Sequence, residues 1–149
     1  MDVMDLENMR LDEKRNLADS PNTSEDVLQT LAKDTQYTVR YRVAHNRSTP
    51  ETALRELAKD LYGGVREEVA ANPSTPEDIL RELVQDNDTS VRYWVAGNPK
   101  ASNKILIMLF KYEKSFREPN EYVIRALYEN KNLPHIVKVI IETLFKEML

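Results

Sequence analysis

The residues of this chain that could carry catalysis are few and poorly placed for it. Its two histidines, His45 and His135, stand far apart in sequence, in non-equivalent positions and with no partner in view. Adjacent carboxylates such as Glu67/Glu68 and Glu77/Asp78 would serve as acid and base only if burial drove their pKa values apart. On polar helix faces they read as solvated charge. There is no Cys, which excludes disulfides, thiolate metal sites, Fe–S clusters and a Cys nucleophile. Three glycines, Gly63, Gly64 and Gly97, make no phosphate-cradling loop. No metal-ligand spacing appears. The expectation is a protein without catalytic residues, metal or cofactor, and not an enzyme.

What the polar residues do show is recurrence. Arg40, Arg66 and Arg92 lie 26 residues apart, as do Asp34, Asp60 and Asp86, and Asn46, Asn72 and Asn98. Whole segments follow the same period. Ala70-Ala-Asn-Pro-Ser-Thr-Pro-Glu-Asp-Ile-Leu80 matches Ala44–Leu54 before it and Ala96–Leu106 after it, with a weaker copy at Ala18–Leu28. Self-similarity at such a period is the mark of a solenoid, in which a recurring residue becomes a column along the stack. Arginine beside aspartate at every repeat reads first as a set of Arg–carboxylate bridges within or between repeats. An anion-binding stripe is the functional alternative, with Arg125 as a further possible member. The Asn column is expected to bond loop backbone.

The elements that position these columns are helices. Thr49-Pro50-Glu51 and Thr75-Pro76-Glu77 predict helix starts, with Thr as N-cap, Pro in the first turn and Glu against the dipole. Apolar residues at i, i+1 and i+4 follow: Val27, Leu28 and Leu31; Ala53, Leu54 and Leu57; Ile79, Leu80 and Leu83. A second, shorter helix is expected from the valine–valine–alanine patterns at 38–44, 64–70 and 90–96, capped by Thr38 or Ser90 and closed by an Asn in the left-handed conformation. Residues 1–19 then form an N-terminal cap, with a helix suggested by Val3, Leu6 and Met9. Residues 20–45, 46–71 and 72–97 are repeats. Residues 98–129 are an irregular repeat, whose helix at 105–110 is apolar all round and whose insertion lies at 111–120. Residues 130–149 form a closing cap helix. All 149 residues read as one all-α domain of about four to five two-helix repeats.

The Val-Arg-x-x-Val-Ala-x-Asn-Pro-x-Thr-Pro-Glu-x-Leu unit, as in Val65–Leu80 and Val91–Leu106, resembles the leucine-rich repeat variant family over roughly residues 17–110. The resemblance implies a right-handed α-solenoid in which α-helices alternate with short, often 3₁₀, helices, and no sheet. Some members carry an Fe–S cluster in an added Cys-containing segment, which a chain without Cys lacks. The period of 26 exceeds the family's usual unit and leaves room for a second helix that is fully α.

The net charge of −4 is uneven, with −7 over residues 1–97 and +3 over 98–149. Overall acidity argues against general nucleic-acid binding. An acidic start without an apolar run, and no stretch long enough to span a bilayer, give the expectation of a cytoplasmic protein with no membrane partner. Function is then sought where the copies differ. The positions after each column arginine are Tyr41-Arg42, Glu67-Glu68 and Tyr93-Trp94, which lie off the apolar stripe and include residue types favoured at interfaces. They are the candidate face for a partner protein or peptide, with the irregular segment 111–135 as a second place to look. An Arg/aromatic face for nucleic acid is the alternative. The sequence leaves the oligomeric state open.

Overall fold

The computed structural model describes Leu6 and residues 8–149. Among these residues there are ten α-helices and a final 3₁₀ turn, and no strand. The helices are α1 (Leu11–Asp19), α2 (Glu25–Leu31), α3 (Tyr37–His45), α4 (Glu51–Leu57) and α5 (Gly63–Ala71). They continue as α6 (Glu77–Leu83), α7 (Thr89–Gly97), α8 (Asn103–Lys114), α9 (Glu121–Glu129) and α10 (His135–Leu144). None among the described residues is long and apolar enough to cross a membrane. The helices gather into two compact units, one ending at Thr75 and the other beginning at Pro76. The alternation is that of an all-α repeat protein.

In each repeat the first helix buries the i, i+1, i+4 stripe, as with Ala53, Leu54 and Leu57 or Ile79, Leu80 and Leu83. The second helix buries two valines one turn apart and the adjacent alanine: Val39, Val43 and Ala44; Val65, Val69 and Ala70; Val91, Val95 and Ala96. All nine of these side chains are fully buried. The alanines let neighbouring helices come close. Of the two forms expected for the second helix, the structure has the α form, with nine residues against seven in the first helix.

The loop that follows each second helix is held differently from the expectation. Asn46, Asn72 and Asn98 have extended backbones, with φ of −69, −66 and −69°, not left-handed ones. Their side chains explain why the position needs Asn. Asn72 Nδ2 donates to Ala44 O at 2.7 Å and Asn46 O at 3.0 Å, one repeat back, while its Oδ1 accepts from Ser74 N at 2.8 Å. Asn46 does the same to Ala18 O and Ser20 O, with Ser48 N as its donor. In the second unit Asn130 reaches Ala96 O at 2.6 Å. Each amide therefore satisfies helix-end carbonyls that would otherwise lack a partner. The threonines are not N-caps either. Pro50 and Pro76 occupy the N-cap, and the Thr before each is buried and donates backwards, Thr49 Oγ1 to Val43 O at 2.5 Å and Thr75 Oγ1 to Val69 O at 2.6 Å. The residue before a proline is held in extended backbone, which turns its hydroxyl away from the coming helix. The second helices start at Gln36, Tyr62 and Asp88 as N-caps rather than at Thr38 or Ser90.

The two ends also have physical explanations. α1 keeps the register of a second helix, with Ala18 fully buried at the place of Ala44 and Lys14 at the place of Arg40. The helix expected over Val3, Leu6 and Met9 falls in part outside the described residues; Leu6 is buried. The insertion in the fourth repeat extends α8 to twelve residues before the loop to Asn120. α8 is covered over one broad arc, by Ile105, Leu106, Leu109 and Phe110, and leaves Ile107 and Met108 partly exposed. In α10, Val137 and Ile141 are buried, while Lys138 and Glu142 stand where α8 has Leu106 and Phe110. That exchange puts two polar side chains on α10, which also leaves Ile136 and Leu144 exposed.

Asn72 makes three hydrogen bonds at 3% exposure, so Asn72→Ala strands a buried N–H and buried carbonyls. Urea unfolding is expected to record a loss on the order of 2–3 kcal/mol. Leu61→Ala, at a side chain 95% exposed, is expected to change stability by less than about 0.5 kcal/mol.

Candidate interaction surface

Most column cations hold a carboxylate within their own unit. Arg40 grips Asp60 of the next repeat with two bonds, Nε to Oδ2 at 2.5 Å and Nη2 to Oδ1 at 3.0 Å. Its Nη1 turns back to Asp34 O at 2.8 Å, a carbonyl in the turn that follows α2. Arg66 Nη1 bonds Asp60 O and Arg92 Nη1 bonds Asp86 O, both at 2.8 Å. The column begins one repeat earlier than the arginines suggest, with Lys14 Nζ on Asp34 Oδ2 at 2.9 Å. At the other end Arg92 takes Glu113 at 2.5 Å, with the glutamate fully buried. Arg125 is not a continuation. It stands one residue past the column, where Ile124 is buried, and donates to Met148 O at 3.0 Å.

The aspartates have a second duty. Asp34, Asp60 and Asp86 each accept from the backbone N–H two residues on, at 2.8–2.9 Å, which turns the chain into the second helix. Burial pushes the Asp60 carboxyl up, but the bonds from Arg40 and from Tyr62 N–H outweigh it and hold its pKa below the usual value. The Arg40 guanidinium is raised, chiefly by its bond to Asp60. Among the described residues no buried side-chain N or O lacks a hydrogen-bond partner.

The positions that vary behave otherwise. In the first unit Tyr41 is 40% exposed and donates its hydroxyl to Glu68 Oε1 at 2.6 Å, which pushes its pKa up to about 12. His45 is not without a partner, since its Nδ1 meets the other oxygen of the same carboxylate at 2.7 Å. Arg42 pairs with Asp19 of α1. Glu67 is half-buried on the neighbouring turn. Tyr37, Thr38, Tyr41, Arg42 and His45 of α3, with Asp19, line an open groove of about 510 Å³. Tyr37 stacks on Tyr62, with ring centroids 4.6 Å apart. In the second unit Tyr93 and Trp94 are 37% and 39% exposed and meet edge to face at 5.3 Å. The irregular segment places Tyr112 and Phe116 around the Arg92 guanidinium, so it serves the column. His135 is exposed at the start of α10, and no group of three or more potential metal ligands occurs among the described residues.

Sequence reasoning missed Tyr37, Glu68 as a shared acceptor, Asp19, Lys14 and Glu113. A signal for most of them existed. Contacts across neighbouring repeats recur at a separation of 23, as in Arg15–Thr38, Arg42–Asp19, His45–Glu68 and Thr52–Gln29. Those between basic column and carboxylate recur at 20, as in Lys14–Asp34 and Arg40–Asp60.

Compared with known families, residues 63–88 match the leucine rich repeat variant, a helical repeat. The matched stretch is one period long and runs from α5 through α6. No curated protein and no solved structure matches the chain.

Two measurements separate the column from ordinary surface charge. Arg92→Ala leaves Glu113 buried without its cation, and a loss of about 3–5 kcal/mol is expected; Arg10→Ala, at an exposed pair, is expected to cost less than about 1 kcal/mol. For Asp60 the folded pKa lies below the unfolded value, so its contribution is present at neutral pH and disappears as pH falls through the folded pKa. Asp60→Asn is therefore expected to lower stability near pH 7 and to flatten its decline between about pH 5 and pH 2 in a pH series of thermal unfolding.

Proposed function

We propose that the chain is a non-catalytic binding module that holds a partner protein or peptide on the side chains that vary beside the column in its second helices: Tyr41, Arg42, Glu67 and Glu68 in the first unit, and Tyr93 and Trp94 in the second. One observation carries the reading. The residues that recur at the period are engaged in holding repeats together, and the positions beside them keep large aromatic side chains at 37–40% exposure. Tyrosine and tryptophan supply contact area with a polar edge, the property that concentrates binding energy at interfaces. The helical-repeat match supports the same class of function, since repeat stacks offer extended binding surfaces.

The nucleic-acid alternative needs Arg40, Arg42, Arg66 and Arg92 as free cations beside Tyr93 and Trp94. Arg40 and Arg92 hold carboxylates, Arg42 holds Asp19, and Arg66 donates to the Asp60 backbone carbonyl in the turn between its repeat's two helices. A protein or peptide partner suits this surface better.

The test is affinity capture on the immobilised chain, compared with Tyr41→Ala and Trp94→Ala. The same bound protein is expected to be recovered with both, reduced about fivefold or more, as loss of 1 kcal/mol or more at an interface aromatic gives. Full recovery by both variants would move the interface elsewhere, and strong retention of nucleic acid at physiological salt would replace this reading with the alternative.

A further inference from the structure

We infer that the outward side of α8 and α10 docks on an anionic lipid surface, a contact separate from the partner-binding side chains of the second helices. The repeat register carries the first observation. The second, fifth, sixth and ninth residues after each N-cap stay out of the core in all five first helices. At α2, α4 and α6 all of them are polar, as with Asp78, Arg81, Glu82 and Gln85. At α8 they become Lys104, Ile107, Met108 and Lys111, and at α10 Ile136, Val139, Ile140 and Thr143. An apolar surface thus replaces a polar one at positions where the fold has no use for it.

α8 and α10 lie side by side. Asn132, in the loop before α10, donates to Ala101 O in the loop before α8 at 3.0 Å. At the other end Phe110 of α8 meets Phe145, the C-cap of α10, edge to face at 6.4 Å. Along α10 the four outward residues and Leu144 fall within an arc of about 140° on a helix about 15 Å long. Ile136 is 67% exposed and Leu144 53%, and Val139 and Ile140 are exposed with them. The charged groups of α10 are turned the other way. Glu142 accepts from the Tyr128 hydroxyl of α9 at 2.6 Å, and Lys138 Nζ stands 5.5 Å from the centre of the same ring.

Charge complementarity names the occupant. The charges of α8 and α10 are Lys104, Lys111, Lys114 and Lys138 against Glu113 and Glu142. Glu113 is buried on Arg92, and Glu142 is held by Tyr128. What faces solvent is aliphatic surface with lysines and no unengaged carboxylate, which suits a partner that is apolar and negatively charged. Side-chain types then favour lipid over protein. Protein interfaces concentrate Tyr, Trp and Arg and are depleted in Lys, and their hot spots seldom use Leu or Val. Aliphatic side chains with lysines beside them are the composition of a helix that lies in a lipid interface, its apolar side among acyl chains and its cations at anionic headgroups. A second copy presenting the same face would set lysine against lysine. No helix among the described residues is long and apolar enough to cross a bilayer, so α10 lies along the surface. The expectation of no membrane partner, which rests on spanning length, does not address such a contact.

The probe is a vesicle of equimolar phosphatidylserine and phosphatidylcholine, co-sedimented with the full chain, with pure phosphatidylcholine vesicles as comparison. Binding to the anionic vesicles is expected, weaker by about tenfold or more on pure phosphatidylcholine and weakened again by added salt. Ile136→Asp and Ile140→Asp, both at exposed positions and checked by circular dichroism, should each reduce it about tenfold or more. Lys104→Glu combined with Lys111→Glu should do the same. Tyr41→Ala and Trp94→Ala should bind vesicles as the native chain does. No binding to anionic vesicles, equal binding to both kinds, or binding unchanged by both aspartate variants would overturn the inference. So would vesicles left unbound by a chain whose self-association, or whose recovery of a captured protein, is abolished by Ile136→Asp and Ile140→Asp.

Discussion

A guanidinium held between a carboxylate of the next repeat and a carbonyl of its own is the contact on which the packing of repeats within each unit depends. Arg40 does this with Asp60 and Asp34 O, Lys14 makes the corresponding carboxylate contact in the same unit, and Arg92 makes it in the other. A half-buried cation is costly unless its donors are filled, and the arrangement fills them at fixed positions. The aspartate is fixed in turn by the N–H that starts the following helix. Repeat spacing, helix start and charge pairing are thus one constraint. The asparagine ladder acts beside it, tying each loop to the helix end one repeat back.

The columns were readable in the sequence because a period of 26 superimposes like on like. The apolar stripes were readable for the same reason, since i, i+1, i+4 spacing leaves one way to bury Leu54 and Leu57. Cap chemistry was less so. A Thr-Pro pair reads as a helix start in isolation, yet Thr49 and Thr75 serve the helix that has just ended. Only the three-dimensional return of the chain shows which carbonyl is left over. Glu113 stayed hidden because a six-residue insertion extends its helix past the point where the other first helices end, and a longer side chain makes up for the one-residue offset from the column. The groove on α3 was half visible: Tyr41 and Arg42 stood out by varying between repeats, whereas Tyr37 and Asp19 lie outside the repeating motif.

Scaffold and recognition are separated at the level of single residues. Arg40 and Tyr41 are adjacent on α3, yet one is directed to the seam between repeats and the other remains 40% exposed. Adjacent residues on a helix point about a hundred degrees apart, so the same short element can hold its neighbour with one side chain and offer the next to a partner. That geometry lets the exposed positions vary, from Tyr-Arg to Glu-Glu to Tyr-Trp, while the seam stays constant.

The most direct test of this division is a double-mutant cycle on Arg40→Ala and Asp60→Ala, read by urea unfolding. If the column arginine belongs to the fold, the two losses are strongly non-additive, with a coupling on the order of 1–3 kcal/mol. Additive losses, with no coupling beyond about 0.3 kcal/mol, would mean that Arg40 and Asp60 act independently and would contradict the assignment of the column to the scaffold.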